Sequence, residues 1–162
     1  MTVDVNIFDY ASVSRAQRRL DEYYADLIEK SNELCERLAE IAQDEAQTLF
    51  YGAEYDGIND VEVYIDQIQN GYSVVAQGNA ALFIEYGSGV TRGKGHPEPE
   101  GYGPGTYPGK GHWNDPKGWY LPVDALGERG IHTYGNPPAA AMYRAKQEVI
   151  DRAQEVADEV FA

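Results

Sequence analysis

Apolar residues recur in a narrow stripe along the first third of the chain. Leu20, Tyr24, Leu27, Leu34, Leu38, Ile41 and Leu49 fall mostly on steps of three, four and seven, separated by Asp, Glu, Arg, Gln and Lys. That spacing predicts one long amphipathic helix over residues 12–51. Ser12 or Ser14 is a suitable N-cap and Gly52 a suitable C-cap. A helix reaching from there to Phe50 would be ~54 Å long at ~1.5 Å per residue, more than the width of an 18 kDa globule. Part of it should project or pack on a neighbour. Ser31 and Glu45 interrupt the seam, which argues against a regular coiled coil.

The period then changes. Val61-Glu62-Val63-Tyr64-Ile65 alternates strictly and reads as a half-buried strand. Asn70-Gly71 is a hairpin turn signal, and Tyr72–Gln77 the returning strand. Residues 80–86 form a short apolar run. Either a helix capped by Asn79 and closed by Gly87, or a third strand, accounts for it. With the hairpin, the run fills residues 61–86.

Residues 87–118 hold ten glycines and a scatter of prolines, which no regular helix tolerates. This Gly/Tyr-rich insertion contains a repeated tetrapeptide, ending in His96 and in His112. Two short strands follow within residues 119–134. Pro137 or Pro138 then suits the first turn of a closing helix over residues 138–161. Its apolar face is Ala141, Ala145, Val149, Ala153, Val156 and Val160. The fold class expected is α+β. One domain over residues 1–162 carries a small antiparallel sheet packed by a long N-terminal and a C-terminal helix, with the insertion as a loop.

Charge narrows the possible partners. The 162-residue chain carries a formal net charge of −14. Residues 1–87 hold 17 acids and 5 bases, while residues 88–118 hold 3 acids and 4 bases. So acidic a surface repels nucleic acid and anionic membranes, though it could line a channel that DNA must pass without sticking. The lone Cys35 excludes an internal disulfide, fits a reducing compartment, and reads as a small buried side chain. The first residues show neither a basic nor a long apolar region, so no signal peptide is expected. No run approaches the ~20 apolar residues of a membrane span.

Candidate chemistry is thin. His96, His112 and His132 invite a metal, but two lie in a Gly-rich segment with no nearby cysteine, so no metal or other cofactor is expected. Gly-x-Ser-x-Gly and the phosphate-cradling Gly-x-x-x-x-Gly-Lys-Ser/Thr are both absent. Glu85 could pair with Asp56 or Asp60 as a glycosidase acid and base. The simpler reading is that it caps or hydrogen-bonds the turn at Gly87. No catalytic residue is assigned. Tyr102, Tyr107, Trp113, Trp119 and Tyr120 place aromatics in and just after the insertion, where interface anchoring is the favoured role.

Two short motifs remain. Ile84-Glu85-Tyr86-Gly87-Ser88 ends the apolar run, and Gly135-Asn136-Pro137-Pro138 leads into the closing helix. In that order, between a long N-terminal and a C-terminal helix, they resemble the tail-completion (minor tail component, head–tail joining) proteins of long-tailed bacteriophages. Those have Val/Ile-Glu-Phe/Tyr-Gly-Thr/Ser, a variable stretch, and a Gly-x-Pro-Ala-x-Pro-Phe-type motif. The first motif matches closely. The second departs, with Ala140-Ala141-Met142 where Pro-Phe is usual. The resemblance covers residues 15–162. It implies a structural virion protein of the neck or upper tail, assembled in the host cytoplasm as a ring, with six subunits favoured over twelve because phage tails are sixfold. Its partners would be neighbouring neck and tail proteins, with DNA passing the lumen unbound and no membrane. A stopper or tail terminator is the near alternative, and a small glycan hydrolase the distant one.

Overall fold

The computed structural model describes residues 2–89, 92, 95–98, 115–120 and 130–162. Its elements are α1 (Tyr10–Tyr51), β1 (Glu62–Ile68), β2 (Gly71–Gln77), α2 (Ala81–Tyr86), β3 (Trp119–Tyr120), β4 (His132–Thr133) and α3 (Ala141–Val160). The class is α+β, with a long N-terminal helix, a C-terminal helix and a small two-stranded antiparallel sheet.

Helix α1 has 42 residues, hence a length of ~63 Å. It starts earlier than Ser12 or Ser14 would set it. The Asp9 carboxylate accepts from the Ala11 N–H at 3.0 Å and is the cap, while Ser12 Oγ accepts from the Asn6 N–H. At the other end Gly52 closes the helix as expected. The Asn59 side-chain amide adds a bond to the Phe50 carbonyl, one of the carbonyls a helix end leaves unpaired.

The core gathers at the C-terminal third of α1. Ala46 and Phe50 meet Val61 and Val63 of the first strand region, Ala80 and Ile84 around α2, and Ala141 and Ala145 of α3. The alternation read from 61–65 holds, with Val61 and Val63 buried and Glu62 and Tyr64 exposed. Gln43 and Gln47, one helical turn apart on α1, bracket Val63. Gln43 donates to its carbonyl at 2.8 Å and Gln47 accepts from its N–H at 2.9 Å. Those two bonds fix the sheet on the helix.

Strands β1 and β2 pair from Glu62↔Gln77 to Ile68↔Gly71. The turn residues are therefore Gln69 and Asn70, one position earlier than Asn70-Gly71. Gly71 alone takes positive φ, at 141°, and it opens β2. The segment after the hairpin is a helix, not a third strand. Strands β3 and β4 pair Trp119 with Thr133 and Tyr120 with His132, and residues 121–129 of the expected hairpin lie outside the described residues.

Helix α3 buries Ala141, Ala145, Val156 and Val160, four residues of its expected apolar face. It packs along α1, and Glu159 near its C-terminus pairs with Arg37. Beyond that point α1 has less cover, although the hairpin turn still lies beside Leu27 and Ile28. Leu20 is 54% exposed and Tyr24 65%, although both belong to the stripe that is buried at Phe50. Cys35 is exposed rather than buried, at the edge of a shallow trough between α1 and the hairpin turn. Among the described residues no helix is long and apolar enough to cross a membrane.

Candidate functional site

The residues of the two sequence motifs meet in one junction. It is built on α2, which is held by its neighbours at both ends. At the N-terminus Asn79 was the expected cap, but Asp60 does the work from the segment before β1. One carboxylate oxygen accepts from the backbone and side chain of Asn79, and the other accepts from the Ala80 N–H at 2.9 Å. The Ala80 and Asn79 backbone bonds hold the Asp60 carboxyl below its ordinary value of 3.8. One turn later Ile84 is fully buried and pins α2 into the core.

At its C-terminus α2 ends in Gly87, with φ 75° and ψ 175°, a region that favours glycine strongly. That turn aims Ser88 at Asn136. The Ser88 N–H donates to the Asn136 carbonyl at 2.9 Å, and the Ser88 hydroxyl donates to its side-chain oxygen at 2.5 Å. The Asn136 side-chain amide donates to the Phe83 carbonyl at 2.9 Å. Gly135 makes this closeness possible. Its φ is 91°, and a Cβ there would run into the Ser88 carbonyl.

The chain then runs past α2 through Pro137 and Pro138, both partly buried. Having no N–H, they leave no donor unpaired in this crowded stretch. Ala139 donates to the Ile84 carbonyl at 2.8 Å and Ala140 to the Glu85 carbonyl at 3.1 Å. The final carbonyls of one helix are thus paired by amides that precede the next. These bonds also explain why α3 does not begin at Pro137 or Pro138. Ala140 is held in the left-handed region, at φ 51° and ψ 42°, and carries no capping side chain.

Glu85 supplies the missing cap. Its Oε2 accepts from the Met142 N–H at 2.9 Å and its Oε1 from the Tyr143 N–H at 3.2 Å. The sequence reading that Glu85 has a capping role is right in kind, but the target is α3 and not the turn at Gly87. A buried carboxylate at a helix N-terminus meets both unpaired amides and the positive end of the helix dipole. His96 completes the shell. Its Nε2 lies 3.1 Å from Glu85 Oε1, and its Nδ1 accepts from the Glu98 N–H at 3.0 Å. Both contacts are satisfied by the tautomer with hydrogen on Nε2. The imidazole sits between Tyr86 and Tyr143, with ring centroids 4.4 Å and 6.0 Å away. Its side chain is 5% exposed.

The other proposed residues scatter. Trp119 is half-buried on β3, and Tyr120 is 70% exposed with its ring edge-on to His132. Tyr102, Tyr107, Trp113 and His112 lie outside the described residues, as does most of the 87–118 insertion. Asp60 caps α2 and Asp56 accepts from the Thr133 hydroxyl at 2.5 Å. Among the described residues no three His, Cys, Asp or Glu side chains converge on a point that would hold a metal ion. Sequence reading named Asn136, His96 and Asp60 but not the roles they have here. A polar amide lodged between Gly135 and Pro137 was the available clue for the first.

Comparison with protein-family models, with curated proteins and with solved structures returned no match.

With both carboxylate oxygens of Glu85 engaged by backbone amides, the arrangement holds two segments distant in sequence together. The hydrogen-bonding groups at this junction are spent on one another.

Proposed function

We propose that this chain is a structural, non-catalytic virion protein of a tailed bacteriophage, a tail-completion or neck component that joins tail to head within a ring of identical subunits. One observation carries the reading. Ile84–Ser88 and Gly135–Ala140, the two segments that resemble the phage family, interlock through Glu85, Ser88 and Asn136. That they meet in one junction supports reading them as a single motif pair.

Two features agree with it. Helix α1 extends beyond its own body and presents apolar side chains, as a subunit with neighbours would. The net charge of −14 suits a lumen that lets DNA pass without binding it. Contacts between identical subunits that are head-to-tail and close on themselves give a ring, and sixfold symmetry matches the tail it would sit on. Neighbouring neck and tail proteins are the other partners, and the virion neck is the location. A stopper or tail terminator in the same neck is the second reading.

The test is electron microscopy of the purified chain, alone and mixed with tails that lack their head-proximal end. Rings with an axial opening, binding at that end, support the proposal. A chain that neither closes into rings nor binds tails, but cleaves glycan in a reducing-sugar assay, overturns it.

A further inference from the structure

The inner half of the α1 stripe is covered by the chain itself, whereas on the outer half Ala16 is buried but the larger apolar side chains are exposed. Val13, Leu20, Tyr23, Tyr24, Leu27 and Ile28 are between 38% and 65% exposed on the outer half, and they lie on one broad face of the helix. The face continues into a shallow trough at the point where α1 meets the hairpin turn. Leu27, Ile28 and Cys35 form its floor, and Ile68 and Tyr72 its wall. The bare face thus prolongs a seam that, further along, already receives a helix.

The charges along this rod are sorted. Residues 10–20 contain Arg15, Arg18 and Arg19 and no acid, in a chain of net charge −14. Residues 21–36 contain six acids and one base. Two such rods in parallel register would set arginines beside arginines and acids beside acids. Reversed, each basic tip lies across the acidic stretch of the other, and the two helix dipoles oppose. The stripe needs an apolar helix to cover it, and the charge pattern matches the rod's own sequence read backwards.

We propose that the projecting part of α1, residues 10–34, is a homotypic docking surface that pairs antiparallel with the same segment of a second copy of this chain. The pairing is isologous, with each copy giving the same face. It does not rest on the neck reading. A pair of this kind covers the rod of the free chain, whatever larger assembly the chain joins.

Sedimentation equilibrium of the full chain over a wide concentration series tests this, in low and in high salt. The wild-type chain should dimerise. Leu20→Asp with Leu27→Asp should weaken the dimer by about tenfold or more, with far-ultraviolet circular dichroism and melting unchanged because both positions lie outside the core. Reversing Arg15, Arg18 and Arg19 to Glu should also weaken it, and should remove its sensitivity to salt. Orientation is read from a spin label at Ser14→Cys in a Cys35→Ser chain. Antiparallel pairing of residues 10–34 sets position 14 across from position 30, so the two labels lie about 24 Å apart along the axis at ~1.5 Å per residue, while labels side by side overturn it. A monomer at every concentration overturns the proposal, as does association that these variants leave unchanged. A closed ring insensitive to them would sink this inference and leave the neck reading standing. A dimer lost in the variants, with no ring under any condition, would do the reverse.

Discussion

The carboxylate of Glu85 and the backbone N–H of Met142 meet at 2.9 Å across 57 residues of chain. This contact makes the last helix dependent on a side chain from α2. Replacing Glu85 by Ala leaves two buried helix amides without an acceptor, at a cost of about 2 kcal/mol. Melting temperature should fall by about 5 °C for a chain of this size. Glu85→Gln keeps one acceptor and loses the charge, so its melting point should lie between the two.

Gly135→Ala tests the closeness of the two motifs. The added methyl meets the Ser88 backbone carbonyl, and φ 91° is itself unfavourable for alanine. Destabilisation of about 2 kcal/mol or more is expected in urea unfolding. A midpoint unchanged from wild type would mean that Ser88 and Gly135 are not in contact.

Asp60 gives a pH signature. Its folded-state carboxyl titrates below the ordinary 3.8 because the Ala80 and Asn79 amides stabilise the charged form. The stabilisation is full above the unfolded value and fades as pH falls through it toward the folded value. Asp60→Ala should therefore cost about 1 kcal/mol near neutrality, as lost caps do. The gap between variant and wild type should close in acid below pH ~4. A gap that stays constant through that range would count against the capping role.

Two residues on one stripe should behave differently in the monomer. Phe50 is 1% exposed, and Phe50→Ala should cost about 3–5 kcal/mol through the cavity it leaves. Leu20 is 54% exposed, and Leu20→Ala should change stability by no more than about 0.5 kcal/mol under dilute conditions. Equal losses at the two positions would mean that the outer part of α1 is covered within the chain.

What the sequence made legible was periodic. The α1 stripe, the alternation through Val63 and the spacing of Ala145 and Val156 on α3 each repeat on a local rule, and the structure follows them. The bonds that place the motifs leave no period. Asp60 caps α2 from 20 residues away, and Asn136 reaches Phe83 across 53. Nothing near Pro137 announces that the helix must wait until Ala141, because the delay is set by the Ile84 and Glu85 carbonyls. Burial was misread at Cys35 for a related reason. Helical spacing says which face a residue is on, and not whether anything lies opposite.

The dependence of α3 on Glu85 has a consequence for how the chain opens. A helix with its own cap can fray and re-form alone. Helix α3 starts at a strained Ala140 and takes its first acceptors from α2, so its N-terminal turn cannot outlast the α2 junction. The two segments belong to one cooperative unit, although nearly fifty residues separate Ser88 from Gly135. Local opening of the closing helix should therefore begin at Phe161, and the amides of Met142 and Tyr143 should exchange with solvent only when the whole body lets go.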